Sequence, residues 1–316
     1  MTGRLVRVLV FGAGAVGSRF AAAFARAGHP VTVVGRAAHV AAILASGLVV
    51  EGDAGLPVRL AARTEIGSGS DAEVVVLTVK SYDVEPSGRA IAAAFPDPIP
   101  VLALSNGIGI EAALAKGLSA GGWGEPGDWI VRGVHTVPAR LVAPGVVRAT
   151  GTGEVVLGRH PKIPDWSERL RTLFESARVP VRVTDEIDRE VWRKALINAA
   201  INPVTADHGI PNGRLIEEPW RGQATDLLRE ALRAAASEGY EFDPAEAERT
   251  VFGVARATAA NRSSMLEDLD HGRPTEIDAI SGAIVEAGHR HGLPMPATER
   301  AIVRIRTREA ERAAAR

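Results

Sequence analysis

The stretch between residues 5 and 34 constrains the fold of this chain more than any other. It begins with a compact apolar run, Leu5–Phe11, and continues into Gly12-Ala13-Gly14-Ala15-Val16-Gly17, an Ala-rich segment and a second apolar run, Val31–Val34. A short apolar run without alternation is typical of a parallel strand that is buried on both faces. Strand, G-x-G-x-x-G, helix and strand within about 30 residues is the context in which this glycine pattern binds a dinucleotide. We therefore predict that the chain begins with a Rossmann-type α/β domain.

Each glycine of this pattern has a physical role. Gly12 permits the tight turn, Gly14 lets the backbone approach a pyrophosphate, and Gly17 lets the helix pack closely on the strand. The phosphates then lie at the positive end of the helix. We predict that this loop binds the cofactor through Gly12, Ala13, Gly14, Ala15, Val16 and Gly17. A purely structural glycine-rich turn is the alternative.

The end of the second strand indicates which dinucleotide binds. NAD enzymes commonly have Asp or Glu there, because a carboxylate accepts a hydrogen bond from the ribose 2′-hydroxyl. This chain has Gly35-Arg36. An arginine cannot accept that hydrogen bond but pairs well with a 2′-phosphate. The sequence therefore predicts NADP(H), with an exposed loop arginine as the alternative.

Two further predicted strands end in polar residues. Glu73–Val79 is followed by Lys80, and Pro100–Leu104 is followed by Ser105 and Asn106. Ligands of open α/β folds bind at the carboxyl edge of the parallel sheet, where both ends should lie. Lys80 is a candidate contact for a cofactor phosphate. Asn106 is a candidate for the nicotinamide side of the cofactor or for the substrate.

The remaining first half is predicted as a loop and a hairpin that continues the sheet. Residues 117–128 are rich in glycine and predict a loop, and strands are expected at 129–136 and within 146–157, on either side of Thr150-Gly151-Thr152-Gly153. A helix at 167–177 and a strand at 181–184 follow. We place the domain boundary there, with a Rossmann domain at 1–184 and an all-helical domain at 185–316.

The second half has helical patterns throughout. After a first helix that Thr184 is expected to cap and Pro203 to end or kink, helices are predicted at 218–238, 243–269, 275–290 and from 296 to the end. Glu276 lies in the first turn of a helix for which Thr275 is a plausible N-cap. Ser263 and Ser264 fall inside a helical stretch, where serine often bonds back to the backbone.

The first of these helices is apolar almost all round, with three polar exceptions in its second half. They are Lys194, Asn198 and Asn202, spaced i, i+4 and i+8, so they lie one above another on one face. Lysine is rarely buried without a partner, and a desolvated ammonium group has a lowered pKa that suits proton transfer. The alternative is a lysine at a domain rim, with its stem buried and its head in water.

Composition narrows the classes of function. The formal net charge of −1 argues against a nucleic-acid or other polyanionic partner. The absence of cysteine excludes disulfides, a thiolate metal site and a cysteine nucleophile, which fits a cytoplasmic protein. No apolar run reaches the roughly 18 residues of a membrane helix. We expect no metal site, and the sequence leaves a homodimer open.

Several of these motifs together resemble the 2-dehydropantoate 2-reductase (ketopantoate reductase) family. The resemblance extends from the first strand to the last helices. It depends on Gly12 to Gly17, Lys80, Asn106-Gly107, Lys194-x3-Asn198-x3-Asn202-Pro203, Pro211-Asn212-Gly213, Asn261-x-Ser263-Ser264-Met265 and Thr275-Glu276-Ile277-Asp278. It implies a Rossmann domain, an all-helical domain, an active site in the cleft and NADPH-dependent reduction of 2-dehydropantoate to D-pantoate, on the route to pantothenate and coenzyme A.

The resemblance also implies roles for single residues. Lys194 matches the lysine that protonates the carbonyl oxygen, and Glu276 matches its acidic partner, which holds the lysine and the hydroxyl end of the substrate. Ser264 matches a hydroxyl that binds the substrate carboxylate. Asn106 and Lys80 match positions on the cofactor side. The amides that orient the substrate are matched by Asn198, Asn202 and Asn212.

Other functions compatible with the sequence remain open. A reductase of another 2-oxo acid, or an opine-type dehydrogenase, would use the same framework. A β-hydroxyacid or 6-phosphogluconate-type dehydrogenase also has a lysine and an asparagine four residues later, but it has several glycines before the lysine, where this chain has Glu190-Val191-Trp192-Arg193. A regulator that senses NADP(H) without turnover would need the glycine loop and Arg36 but not the aligned lysine and asparagines.

Overall fold

The computed structural model describes residues 4–52, 56–67 and 70–314, and the chain forms two compact units. The first unit contains the described residues up to Ser105 together with Ile110–Ile187. The second contains Asn106–Gly109 and the chain from Asp188 onward. The short segment at 106–109 thus groups with the helical unit, and the domain boundary after residue 184 stays a prediction.

The first unit is built around an eight-stranded sheet. Its spatial order is β11-β10-β7-β6-β5-β1-β2-β4, and all neighbours are parallel except β10 and β7. The strands of this unit are β1 (Val8–Phe11), β2 (Val31–Val34), β3 (Val49–Glu51), β4 (Ala61–Arg63), β5 (Val74–Leu77), β6 (Val101–Ala103), β7 (Ile130–His135), β8 (Ala139–Ala143), β9 (Val146–Ala149), β10 (Val155–Gly158) and β11 (Val181–Thr184).

The central strands are buried on both faces because helices cover both sides of the sheet. All four residues of β5 have no exposed surface, and one face of the sheet packs on an aromatic cluster of Phe20, Phe24 and Phe174. The helices of the unit are α1 (Ala15–Arg26), α2 (Ala37–Ser46), α3 (Val84–Ala94), α4 (Ile110–Ala120) and α5 (Pro164–Ser176). Apolar strands without alternation thus form the parallel sheet that the sequence predicted.

The predicted hairpin within 146–157 is wrong in one respect. β9 does not continue the main sheet; it pairs with β3 and β8 in a separate three-stranded sheet, while β10 joins the main sheet. The chain changes sheets between Thr150 and Gly153. A side chain at Gly153 would lie 2.5 Å from the Thr136 carbonyl oxygen, and Arg19 donates hydrogen bonds to the carbonyls of Pro138 and Gly151. The close packing at Gly153 and the hydrogen bonds from Arg19 hold the segment 150–153 in place.

The glycine-rich stretch at 117–128 is partly helical rather than a loop. α4 continues to Ala120, because Gly117 lets it pack against the Glu85 carbonyl of α3 without a side chain between them. Trp123 then turns into the core, with 3% of its surface exposed, and its indole N–H donates to the Phe95 carbonyl at 2.8 Å. Small residues here serve close helix packing, which a composition-based loop prediction cannot distinguish from a turn.

The second unit is helical, which confirms the predicted architecture of a Rossmann-type unit followed by a helical one. Its helices pack around one core to which all of them contribute. They are α6 (Ile187–His208), α7 (Trp220–Ser237), α8 (Pro244–Ala257), α9 (Ser264–Asp270), α10 (Ala283–Arg290) and α11 (Pro296–Ala314). A π-helical turn, Asp278–Gly282, leads into α10. Among the described residues, every helix is too short or too polar to cross a lipid bilayer.

The structure refines three local predictions in this unit. Of the two alternatives for Pro203, it does not end α6, which continues to His208, and a kink there stays a prediction. The lost hydrogen bond costs about 3 kcal/mol in a helix interior, but Val204, Thr205 and Ala206 are buried in exchange. Thr184 is the last residue of β11, and its hydroxyl accepts from the N–H of Glu186, the residue directly before α6. The single helix predicted at 243–269 is two helices, α8 and α9, interrupted between Thr258 and Ser263.

Candidate functional site

The glycine loop between β1 and α1 has three glycines in different environments. Gly12 has a φ of +107°, and a side chain there would lie 2.6 Å from the Val79 nitrogen. A side chain at Gly17 would collide with the Gly12 carbonyl and the Thr78 hydroxyl, which donates to that carbonyl at 2.9 Å. At Gly14 the space is open, with the nearest atom 4.0 Å away. Turn, close packing and open approach are the three roles that the pattern predicts.

The start of α1 is suited to an anion. Its N-cap is Gly14, no side chain caps it, and no acidic residue lies in its first turn. The backbone N–H groups of that turn therefore keep the partial positive charge of the helix end. A dinucleotide pyrophosphate fits this position, because the open space at Gly14 allows its oxygens to reach the backbone.

Arg36 lies where the sequence placed it, directly after β2. It is exposed, has an extended backbone and precedes the first residue of α2. Its charge acts on Asp83: partial desolvation raises the pKa of that carboxyl above its usual value, although the side chain is largely exposed, and the positive charge of Arg36 counteracts the rise. Arg36 thus has an acidic neighbour that sequence reasoning missed, 47 positions further along the chain.

Lys80 follows β5 and begins a short 3₁₀ turn, Ser81–Asp83, in which the Asp83 N–H donates to the Lys80 carbonyl at 2.9 Å. The lysine is half-buried. It is therefore at the carboxyl end of a central parallel strand, adjacent to β1, which leads into the glycine loop. Its role as a phosphate contact stays a prediction.

In the second unit, Lys194, Asn198 and Asn202 form one polar face of α6. Lys194 and Asn198 are half-buried and Asn202 is 6% exposed, while Ala195, Leu196 and Ala199 beside them belong to the core. The four-residue spacing stacks the three side chains one turn apart. The helix therefore presents an ammonium group and two amides in a row, beside side chains that belong to the core.

The clearest long-range contact is between Asn106 and Glu276. The Asn106 amide nitrogen donates to Glu276 Oε2 at 3.2 Å, across 170 positions of sequence. Glu276 is only 5% exposed. The oxygen of the same Asn106 amide is buried and accepts no hydrogen bond from any residue that the structure describes. A buried acceptor of this kind is unusual in proteins and is suited to a donor on a ligand.

The 106–109 segment is held against the π-helical turn that follows Glu276. The Ile108 N–H donates to the Ala279 carbonyl at 3.0 Å, and a side chain at Gly107 would lie 2.9 Å from Ala279 Cβ. π-helical turns occur frequently at functional sites. This packing explains why the short segment belongs to the helical unit and how Asn106 reaches Glu276.

Asn212 is buried beside the end of α8. Its backbone N–H donates to the Asn261 carbonyl at 2.9 Å, and its amide nitrogen donates to the Thr258 hydroxyl at 3.0 Å. Within the described part of the chain its amide oxygen, like that of Asn106, is buried and accepts no hydrogen bond. The packing is close, since a side chain at the next residue, Gly213, would lie 2.7 Å from Ala259 Cβ.

The two serines at the start of α9 differ in role. Ser263 is the N-cap: its buried hydroxyl accepts from the Leu266 N–H at 3.2 Å and shares a 2.7 Å hydrogen bond with the Thr205 hydroxyl of α6. Ser264, the predicted carboxylate contact, is the first helical residue and is exposed. The expectation that both lie within a helix holds for Ser264, the first residue of α9, but is wrong for Ser263, whose hydroxyl caps that helix. Thr205 was not predicted at all.

No group of three or more His, Asp or Glu side chains within the described ranges is arranged to hold a metal ion. The predicted site residues of the second unit supply an ammonium group, a carboxylate, amides and a hydroxyl. This set can donate a proton and orient a small polar ligand.

The structure combines a largely parallel sheet that carries a glycine loop with a helical unit that carries a lysine and a buried carboxylate. This combination defines the class of two-part Rossmann oxidoreductases. Residues 8–162 match the family description "Ketopantoate reductase PanE/ApbA", and residues 186–309 match its C-terminal part. The chain belongs to the ketopantoate reductase PanE/ApbA family, as its motifs indicated.

Individual relatives agree with this family. The 2-dehydropantoate 2-reductase of Archaeoglobus fulgidus is 35% identical over 294 residues, which cover 92% of this chain and 93% of the relative. A crystal structure of a PanE/ApbA family ketopantoate reductase from Ralstonia eutropha JMP134 has a TM-score of 0.86 at 30% identity, covering 97% of this chain and 99% of that one.

A more distant enzyme shares the fold. The ternary structure of D-mandelate dehydrogenase with NADH and anilino(oxo)acetate has a TM-score of 0.90 at 24% identity, and it covers 97% of this chain and 99% of the other. That enzyme is named for a different substrate, so the fold by itself does not select one.

Proposed function

We propose that this protein catalyses the NADPH-dependent reduction of 2-dehydropantoate to D-pantoate, a step toward pantothenate and coenzyme A. The observation that carries the proposal is the buried Glu276 carboxylate, held by Asn106, in the same unit as the Lys194–Asn198–Asn202 face. The relatives described above are named for this reaction. A cytoplasmic location and a homodimer stay predictions.

The chemistry requires a proton and positive charge at the carbonyl oxygen. When bound, reduced nicotinamide supplies the hydride, and the carbonyl carbon that receives it leaves a developing alkoxide on oxygen. Lys194 donates its Nζ proton to that oxygen and stabilises the negative charge while it forms. Asn198 and Asn202 orient the substrate without adding charge. Glu276 holds the lysine side chain and accepts a hydrogen bond from the substrate hydroxyl.

Other groups complete the proposed binding. Asn106 and Asn212 each have a buried amide oxygen that can accept from a substrate or cofactor donor. Ser264, exposed at the first turn of α9, donates to the substrate carboxylate. On the cofactor side we assign the pyrophosphate to residues 12–17, the 2′-phosphate to Arg36 and a further phosphate contact to Lys80.

The test is removal of the proton donor. Lys194→Ala should lower kcat with 2-dehydropantoate by about 10²–10⁴-fold, the usual contribution of a general acid, and should leave the dissociation constant for NADPH unchanged. Stopped-flow or steady-state NADPH oxidation measures the first, and fluorescence titration of NADPH the second. Arg193→Ala, on the exposed side of the same turn, is the matched control. A Lys194→Ala enzyme with most of its turnover would remove this lysine from the mechanism.

A reductase of another 2-oxo acid is the second candidate, because an enzyme named for a different substrate has the same fold. A panel of 2-oxo acids ranked by kcat/KM with NADPH distinguishes the two. A higher rank for another acid would reassign the substrate but keep the chemistry. Absence of turnover with every acid, together with NADPH binding, would favour a sensor.

A further inference from the structure

The segment that carries Glu276 has an unusual anchor. The Thr275 backbone N–H donates to Glu309 Oε1 at 2.6 Å, across 34 positions, from the last turns of α11. Thr275 follows Pro274, which has no N–H group, and Thr275 itself is only 7% exposed. The Thr275 N–H is therefore the backbone donor that directly precedes Glu276, and the burial of Thr275 shields it from water. A charge-assisted hydrogen bond to a carboxylate is stronger than one to a neutral acceptor.

The position of Glu309 follows from the pattern of α11. Ile302 and Ile305 are the buried residues of its apolar stripe, and Glu309 continues that stripe at i+7 from Ile302. The stripe faces the core of the unit, so the carboxylate at its end is brought to the Thr275 backbone. Glu309 is half-buried, unlike Glu311 two residues later, which is exposed.

Local hydrogen bonds hold the backbone on either side of Glu276. The Thr275 hydroxyl accepts from the Ile277 N–H at 3.2 Å, and the Glu276 carbonyl accepts from the Ile280 N–H at 3.1 Å. On the far side, Arg306 of α11 pairs with Asp278 at 2.8 Å, but both side chains are more than half exposed, so this pair contributes little. Of these two polar contacts between α11 and this segment, the one made by Glu309 is therefore the stronger.

We propose that Glu309 is a positioning residue for Glu276: it fixes the Thr275 backbone so that the adjacent carboxylate keeps its hydrogen bond to Asn106 and its place in the reaction. This inference rests on the role of Glu276 in the proposed function. Glu309 does not touch the substrate in this scheme. It acts by holding one backbone donor with a carboxylate oxygen.

A double-mutant cycle tests this dependence. Glu309→Ala should lower kcat/KM for 2-dehydropantoate by about 10–100-fold, as expected for a displaced catalytic group, while the dissociation constant for NADPH stays the same. In a Glu276→Gln background the same substitution should cause almost no further loss, because the carboxylate that it positions is already absent. A role in general stability would lower kcat/KM by the same factor in both backgrounds, and that result would overturn the proposal.

Conservative variants separate the acceptor oxygen from the charge. Glu309→Gln keeps an oxygen that can accept from Thr275 but loses the charge, so its kcat/KM should lie between those of the wild type and Glu309→Ala. Glu311→Ala is the matched control on the same helix. Amide hydrogen exchange at residues 275–278 should be faster in Glu309→Ala than in Glu309→Gln. If Glu309→Ala does not fold, Glu309→Asp, whose carboxylate is one methylene further back, takes its place. A Glu309→Gln enzyme as impaired as the alanine variant would contradict the proposal.

The outcome also separates this inference from the proposed function. If Glu276→Gln lowers kcat/KM but Glu309→Ala does not, only the positioning role fails. If Glu276→Gln keeps full activity, the role of Glu276 in the proposed function fails, and the positioning role fails with it.

Discussion

At the scale of single residues, Arg36 has the strongest connection to a measurable property. It is exposed at the end of β2, at the start of α2. Desolvation raises the pKa of the Asp83 carboxyl above its usual value, and the positive charge of Arg36 opposes that rise without cancelling it. Asp83 in turn places negative charge near the site that we assign to the 2′-phosphate. Cofactor preference should therefore reflect both side chains, although only Arg36 could be identified from its place after a strand.

Charge reversal at Arg36 should change the cofactor preference. Arg36→Glu removes the partner of the 2′-phosphate and adds a carboxylate that can accept from a ribose hydroxyl, so the ratio of kcat/KM with NADPH to that with NADH should fall by at least about tenfold, or 1.4 kcal/mol. Steady-state kinetics with both cofactors measures the ratio. Arg36→Lys, which keeps the charge without the guanidinium fork, should give an intermediate value. A ratio unchanged by Arg36→Glu would mean that another residue holds the phosphate.

At the scale of elements, α11 shows how a helix can be capped from far away in sequence. Met295 and Pro296 stand at its start, and neither has a side chain that can accept a hydrogen bond. Glu230 of α7 supplies the acceptor: it receives the N–H groups of Ala297 and Thr298 at 2.9 and 2.8 Å and the Thr298 hydroxyl at 2.7 Å. With Glu309 near its other end, α11 is tied to the unit by two carboxylates.

Removal of Glu230 should destabilise the protein without touching the candidate site. Glu230 is 6% exposed, so Glu230→Ala leaves two backbone N–H groups and a hydroxyl buried without their acceptor, which should lower the free energy of unfolding by about 2–4 kcal/mol. Glu230→Gln keeps one acceptor oxygen and should lose less. Urea denaturation gives the values. Asp226→Ala, on the exposed side of α7, is the matched control and should change stability by less than about 0.5 kcal/mol. Equal stability of Glu230→Ala and wild type would exclude this capping role.

At the scale of the whole molecule, two buried histidines connect distant parts of the first unit. Nδ1 of His29 accepts from the Val6 N–H at 3.0 Å, and its Nε2 lies 2.9 Å from the Ser176 hydroxyl. Nδ1 of His39 accepts from the Gly145 N–H at 2.9 Å, and its Nε2 lies 2.9 Å from the Ser18 hydroxyl. Because each Nδ1 accepts a backbone hydrogen bond, both rings are neutral, and burial lowers the pKa of each below its ordinary value of 6.5.

The stability of the protein should consequently fall as the pH is lowered through 6.5, the ordinary pKa of histidine. A histidine with a lowered pKa in the folded state binds a proton more readily in the unfolded chain, so its stabilising effect is complete above pH 6.5 and is lost as the pH falls below that value. The slope is at most about 1.4 kcal/mol per pH unit for each histidine. Denaturation curves at several pH values measure it, and His39→Gln should reduce the slope. An identical slope in His39→Gln would show that His39 does not titrate on unfolding.

The sequence by itself determined the features that depend on neighbouring residues. The apolar runs around the glycine pattern specify a strand, a turn and a helix, and the four-residue spacing of Lys194, Asn198 and Asn202 places three polar groups on one helix face. Such features need no information from elsewhere in the chain, because backbone geometry alone converts spacing into direction. They were sufficient to identify the fold and the family.

Only the tertiary structure decided what depends on residues far apart in sequence. It joined Asn106 to Glu276, placed Glu230 at the start of α11 and Glu309 at Thr275, and moved β9 out of the main sheet. Each of these features depends on a partner that packing brings close from a distant part of the chain. Sequence periodicity indicates which face of an element is buried, but it does not indicate which other element covers that face. For this reason the contacts that hold the candidate site together could not be predicted from the sequence, although Asn106 and Glu276 themselves were.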